Sequence, residues 1–297
     1  MSAVLHYFPD GEGPGRALAD ALGIAARPIA LRHFPEGESL VRVMEPGRQA
    51  LVFRTLDDPN VKLVELFLAA SALRDGGAAE VILVAPYLGY MRQDKAFAPG
   101  EAVSQKVVGA LLADAFDALV TVDPHLHRTP RLDLVVPGCR AVNVSGAGVL
   151  AGALASLVTP DMLLVGPDAE SRPWAAAIAG PLGLEMLVGE KVRHGDREVT
   201  LEIEGAARAA GRPVVLVDDM ISSGGTLIAC ADVLRRAGAG PVMAAVTHCL
   251  SGPADLARLA AAGIAPLLAT DSVAGPGARI SLAPALAAAL TQERLAP

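Results

Sequence analysis

Positive charge is in deficit in this chain: 25 lysines and arginines stand against 32 aspartates and glutamates in 297 residues, a formal net charge of −7. No electrostatic footprint for a nucleic acid is visible, so basic residues matter only where they gather around a small anion. Cysteine is scarce too. Cys139, Cys230 and Cys249 show neither metal-ligand spacing nor an even count, which argues against a disulfide framework and reads as reduced thiols in a core. Long apolar spans are missing, and His6, Pro9 and Asp10 interrupt the stretch where a signal peptide needs an apolar centre. A cytoplasmic protein with no membrane partner is the expectation. What is present is core-forming material: 52% apolar residues, enough for one large domain or, better, two of ordinary size.

Apolar, strand-like runs at residues 51–53, 81–85, 118–122, 162–165, 214–217 and 242–246 alternate with helical stretches. That alternation predicts an α/β protein with mainly parallel sheets flanked by helices. Residues 62–74 read as a helix with Leu63, Leu66, Phe67 and Ala70 on one face, Asp58-Pro59 as its start and Gly76-Gly77 as its stop. Glycine content rises around residues 144–152 and the strand-helix pattern then restarts, so the domains are drawn as 1–145 and 146–297. A short Ala-rich helix at 282–290 closes the chain. Its docking partner is not legible, and the first domain is one candidate.

Residues 217–226 are the most informative segment: Val-Asp-Asp-Met-Ile-Ser-Ser-Gly-Gly-Thr follows a short apolar run and precedes a helix marked by Leu227, Cys230, Ala231 and Leu234. The strand, turn and helix place this turn at the carboxyl edge of a sheet, where open α/β folds bind ligands. Ser222, Ser223 and Thr226 offer hydroxyls, Gly224 and Gly225 permit close backbone approach, and the helix start attracts an anion. A phosphate fits. Asp218 and Asp219 are placed to accept hydrogen bonds from sugar hydroxyls or to hold a hydrated Mg²⁺. A plain turn-former and helix-cap role is the competing reading of such a pair.

This block resembles the phosphoribosyl diphosphate binding motif shared by phosphoribosyltransferases and ribose-phosphate diphosphokinases. Most members carry a second acidic residue where this chain has Ser222; the serine form is similar to the archaeal-type diphosphokinases. Four further segments, each taken alone, read as ordinary loops or hairpins with surface charge, and together separate the two families. Glu190-Lys191-Val192-Arg193-His194 resembles the diphosphokinase loop that closes over the triphosphate, and the resemblance implies Lys191 and Arg193 as catalytic cations. Pro86-Tyr87-Leu88-Gly89-Tyr90-Met91-Arg92-Gln93-Asp94 resembles the family's Pro-Tyr-x-x-Tyr-x-Arg-Gln-Asp pattern and implies that Arg92 and Gln93 contact ATP. Asp123-Pro124-His125 matches Asp-x-His, implying His125 near Mg²⁺ and the ATP phosphates, and Asp168 matches the second metal carboxylate, with Glu170-Ser171 where Gly-Gly is frequent. A His-x-His zinc reading of His125 and His127 is weak for want of further ligands.

His33-Phe34-Pro35-Glu36-Gly37-Glu38 resembles the family segment that contacts adenine from a neighbouring subunit, with Glu36 where Asp or Asn is usual. Phe34, Glu36 and Glu38 are implied as the base contacts, in a homo-oligomer whose active site is shared between subunits. The resemblance as a whole implies two tandem phosphoribosyltransferase-type domains, ATP and ribose 5-phosphate as substrates and Mg²⁺ as cofactor. A phosphoribosyltransferase and a catalytically silent regulatory relative remain the alternatives.

Overall fold

The structure is a computed structural model that describes residues 3–126, 128–193 and 199–297, with backbone alone for 191–193 and 199–200. The chain forms two compact units. The first takes the residues through Val144 together with Ser272–Ala274 and Ser281–Pro297; the second takes Ser145–Asp271 and Gly275–Ile280. The division at 145/146 left the first domain as one candidate partner of the last helix, and packing groups Ser281–Pro297, together with Ser272–Ala274, with the first unit.

In the first unit, β1 (Ala3–Tyr7), α1 (Glu12–Leu22), β2 (Ala25–Pro28), β3 (Ala30–His33), β4 (Ser39–Arg42), β5 (Gln49–Phe53), α2 (Pro59–Asp75), β6 (Glu80–Ala85), α3 (Ser104–Ala115), β7 (Ala118–Val122) and β8 (Arg140–Val144) follow in order. Among the described residues, six strands make a parallel sheet in the order β2-β1-β5-β6-β7-β8, while β3 and β4 form a separate antiparallel hairpin. The central strands are apolar without alternation because both faces are covered: Leu51, Val52, Ile82, Leu83, Leu119 and Val120 are fully buried. The α2 helix starts at Pro59 behind Asp58, which adopts a left-handed conformation (φ 46°) and makes no side-chain cap. Its buried face takes Leu63, Leu66 and Ala70 as read, but Phe67 is only partly buried and Glu65 is buried in its stead.

The second unit contains α4 (Ala147–Leu154), β9 (Leu163–Gly166), α5 (Arg172–Leu182), β10 (Glu185–Arg193), β11 (Val199–Ile203), β12 (Val214–Ile221), α6 (Gly225–Arg236), β13 (Val242–Cys249), α7 (Pro253–Ala261), β14 (Ile264–Thr270) and β15 (Ala278–Ile280). Its sheet runs β11-β10-β9-β12-β13-β14-β15 among the described residues, parallel throughout except for the β10–β11 hairpin. The chain then ends in α8 (Ala283–Gln292), which belongs to the first unit and packs on α1 and β8. Cys139, Cys230 and Cys249 are buried free thiols; burial pushes the Cys139 thiol up to about 11, so it is inert at neutral pH.

Each sheet has a point where successive strands turn from one direction of growth to the other. In the second unit that point lies between β9 and β12, and in the first between β1 and β5. Ligands of such folds bind outside the carboxyl ends of the strands there.

Candidate active site

The β12 strand is longer than its apolar run. It continues through Asp218 and Asp219 to Ile221, because β13 pairs with it along that length, Asp218 opposite Val246 and Ile221 opposite Cys249. β9 pairs with β12 only as far as Leu216. Both aspartates therefore extend beyond β9 at the switch point, with Asp168 just after the end of β9. The Asp218 carboxyl is pushed well above the ordinary carboxylate range, first by removal from water and then by the charges of Asp219 and Asp168. Its Oδ1 accepts from the Asp219 amide at 3.0 Å. Neither aspartate caps α6: the cap is Gly224, left-handed at φ 74° and without a side-chain cap. This removes the helix-cap reading of the pair.

After β12, Ser222 and Ser223 are exposed and Thr226 partly buried around the first turn of α6. The amides of Ser223, Gly224 and Gly225 have no protein acceptor among the described contacts. Three adjacent donors at a helix start make an anion cradle. Asp168 is held rigidly: the Ser171 amide donates to its Oδ1 at 3.3 Å and the Ser171 hydroxyl to its carbonyl at 2.6 Å, a capping box at the turn Ala169–Ser171 that leads into α5. That exchange is what Glu170-Ser171 does in place of Gly-Gly. A Cβ on Gly166 would collide with the Ser171 hydroxyl, so the glycine is needed for the turn to close.

The acidic set fits a hydrated hard cation better than a caged one. Among the described residues no three His, Cys, Asp or Glu side chains are close enough to enclose a metal, yet burial and the charges of Asp219 and Asp168 together raise the Asp218 carboxyl. Mg²⁺ typically keeps several waters and takes one or two carboxylates plus substrate phosphates.

In the first unit, the loops after β5, β6 and β7 each hold non-glycine residues in the left-handed region: Asp58 (φ 46°), Tyr90 (φ 67°), and Asp123 (φ 34°) with His125 (φ 54°). Strain of this kind collects at ligand sites. His125 is partly buried and its amide donates to the Asp123 carbonyl at 2.8 Å. Arg92 is exposed, while the Gln93 side-chain oxygen accepts from Ser104 at 2.5 Å at the start of α3. What fastens this loop is not visible in the motif. Buried Gln105 donates to the Met91 carbonyl at 3.2 Å and accepts from Thr129 at 3.0 Å, and Asp94 pairs with Arg128 at 3.0 Å.

Phe34, Glu36 and Glu38 sit in the tight turn of the β3–β4 hairpin, closed by Phe34 N–H to Glu38 carbonyl at 2.8 Å. Arg32 lies over the Phe34 ring at 4.9 Å; Glu36 and Glu38 are exposed. The anchor of this hairpin is Glu65. Its carboxylate meets His33 at 2.6 Å, Ser39 at 2.8 Å and Arg54 at 2.6 Å, and Arg54 in turn reaches Asp10 at 3.4 Å. The signal was a lone acid inside the apolar run Val64-Glu65-Leu66-Phe67.

Lys191 and Arg193 lie on β10, opposite Leu201 and Val199 of β11. Their side chains, residues 194–198 and His127 lie outside the described residues.

Comparison with known proteins follows the same division. Residues 14–115 match the family model described as the N-terminal domain of ribose phosphate pyrophosphokinase, and residues 151–259 match the phosphoribosyl transferase domain. A ribose-phosphate pyrophosphokinase of Methanopyrus kandleri is 39% identical over 81% of this chain and 82% of its own length. That of Thermococcus kodakarensis is 37% identical over 74% and 77%. The crystal structure of phosphoribosylpyrophosphate synthetase from Mycobacterium smegmatis superposes with a TM-score of 0.84 at 27% identity, covering 99% of this chain and 100% of that one.

Proposed function

This chain belongs to the ribose-phosphate pyrophosphokinase family, and on that premise we propose how its residues divide the reaction. The reaction transfers the β,γ-diphosphoryl group of ATP to the C1 hydroxyl of ribose 5-phosphate: the sugar oxygen bonds to the β-phosphorus, the bond to the α-phosphate oxygen breaks, and AMP leaves. Ser222, Ser223, Gly224, Gly225 and Thr226 hold the 5-phosphate, and Asp218 and Asp219 hold the ring hydroxyls. The observation that carries this assignment is the row of three amides without an acceptor among the described residues, directly beyond a repelling carboxylate pair on one strand. An anion and a polyol fit the two halves of that strand end.

Arg92, Gln93 and His125 bind ATP on the first unit, with Phe34, Glu36 and Glu38 taking the base. Mg²⁺, near His125 and Asp168, would neutralise triphosphate charge. Lys191 and Arg193 donate to the oxygens of the β-phosphoryl group as charge builds on them. No carboxylate stands at position 222, so Asp218 and Asp219 are the acids of this strand end. A homo-oligomer that shares the site draws support from an open groove of about 540 Å³, where Gly37 and Glu38 of the hairpin turn lie beside Val61, Val64 and Leu68 of α2.

The test is release of AMP from ATP, dependent on ribose 5-phosphate and Mg²⁺. Lys191→Ala and Arg193→Ala are each expected to lower turnover by roughly 10³ to 10⁵, by analogy with arginine fingers. Near-full turnover at saturating substrates would refute that role.

A further inference from the structure

The cradle at residues 222–226 is shaped from behind. Ser251 Oγ donates to the Ser222 carbonyl at 2.5 Å, and Arg258 Nη2, on the last turn of α7, donates to the Ser223 carbonyl. Asp255 fixes the same Arg258 nitrogen at 2.8 Å. In a trans peptide the C=O and the following N–H point in opposite directions. Holding the Ser222 and Ser223 carbonyls towards α7 therefore turns the Ser223 and Gly224 N–H groups the other way, and these are two of the three amides without an acceptor among the described residues. Leu259 of α7 packs so close behind the turn that residue 224 has to be glycine: a Cβ there would stand 2.8 Å from the Leu259 Cδ2.

We propose that Arg258, supported by Asp255 and Ser251, is a positioning residue that orients the amides receiving the 5-phosphate of ribose 5-phosphate. This rests on the assignment of residues 222–226 as the phosphate cradle. Arg258 acts through the Ser223 carbonyl and not on the reacting atoms, so its loss weakens capture of the sugar phosphate and leaves the chemical step alone. A pre-turned peptide needs no reorganisation on binding; a peptide free to rotate loses that advantage.

The measurements are steady-state kinetics and thermal stabilisation of the full-length protein by ribose 5-phosphate. Arg258→Ala is expected to raise KM for ribose 5-phosphate about ten- to hundredfold, the range of one charge-assisted hydrogen bond. KM for ATP and kcat should stay within about twofold. Asp255→Asn, a milder change that keeps the arginine, shifts the same parameter in the same direction by less. Arg258→Lys, which keeps charge but not the fork, recovers only part. Full recovery by lysine would show that charge near the phosphate suffices and would overturn the proposal, as would an unchanged KM or a fall confined to kcat. If ribose 5-phosphate fails to stabilise even the parent protein, it is the cradle assignment that falls; if it stabilises the parent and Arg258→Ala alike, only the positioning role falls.

Discussion

Glu65 shows how one residue governs a neighbourhood. Burial alone would raise its carboxyl, but hydrogen bonds from His33, Ser39 and Arg54 outweigh that and hold it below its ordinary value of 4.5. A lowered carboxyl contributes stability above the ordinary carboxylate range and loses it as the pH falls through the folded-state value. Glu65→Gln leaves Arg54, 5% exposed, without its buried partner. The expected cost is about 3–5 kcal/mol at pH 7. Urea unfolding at pH 7 and at successively lower pH checks this: the gap between variant and parent should narrow as the pH falls towards the folded-state value of Glu65, and a gap that ignores pH would contradict the charge assignment. The residue was illegible in the sequence because helix-face patterning sends a glutamate to solvent, and its partners lie 32, 26 and 11 positions away. Asp218, Asp219 and the 222–226 turn were legible, since their chemistry is contiguous.

At the scale of elements, patterning succeeds where a strand is buried on both faces and fails where charge enters it. The apolar cores of β5, β6, β7, β9, β12 and β13 are readable as runs. The end of β12 is not, because two aspartates look like a terminus while the partner strand keeps pairing beyond them. For residues 190–199 the sequence offers a hairpin reading without its place in the sheet; beyond residue 188 β10 pairs antiparallel with β11 at the sheet edge. For α8 the sequence offers the first domain only as one candidate partner, as its apolar face says no more than that something covers it. The structure supplies α1 and β8, with an Arg140–Glu293 pair at 2.7 Å. Leu290 is fully buried there, so Leu290→Ala should cost about 2–5 kcal/mol. Hydrogen exchange should quicken in α1 and β8 and leave β12 and β13 unchanged; equal loosening of both units would show that they do not unfold separately.

On the whole molecule, the two-unit plan and its family were within reach of sequence, because motifs from residue 34 to residue 226 recur in the family's order. The homo-oligomer was implied by the same resemblance, but not the surface that would serve it. The candidate is a helix face that binary patterning treats as merely imperfect. Val61, Val64 and Leu68 recur along α2 at 57%, 56% and 41% exposure, an apolar stripe that water disfavours. Val64→Glu combined with Leu68→Glu is expected to yield a smaller species in sedimentation velocity. An unchanged sedimentation coefficient would remove this face from the assembly. The return of residues 281–297 to the first unit also sets an order of events during synthesis. Domains commonly fold as they emerge from the ribosome, N-terminal first, at about 5–20 residues per second. Here α1 and β8 lack the cover of α8 until the second unit has been translated, an interval on the order of 7–30 s at that rate. A chain halted before residue 281 would keep that apolar face in water, and its first unit would be the less stable for it.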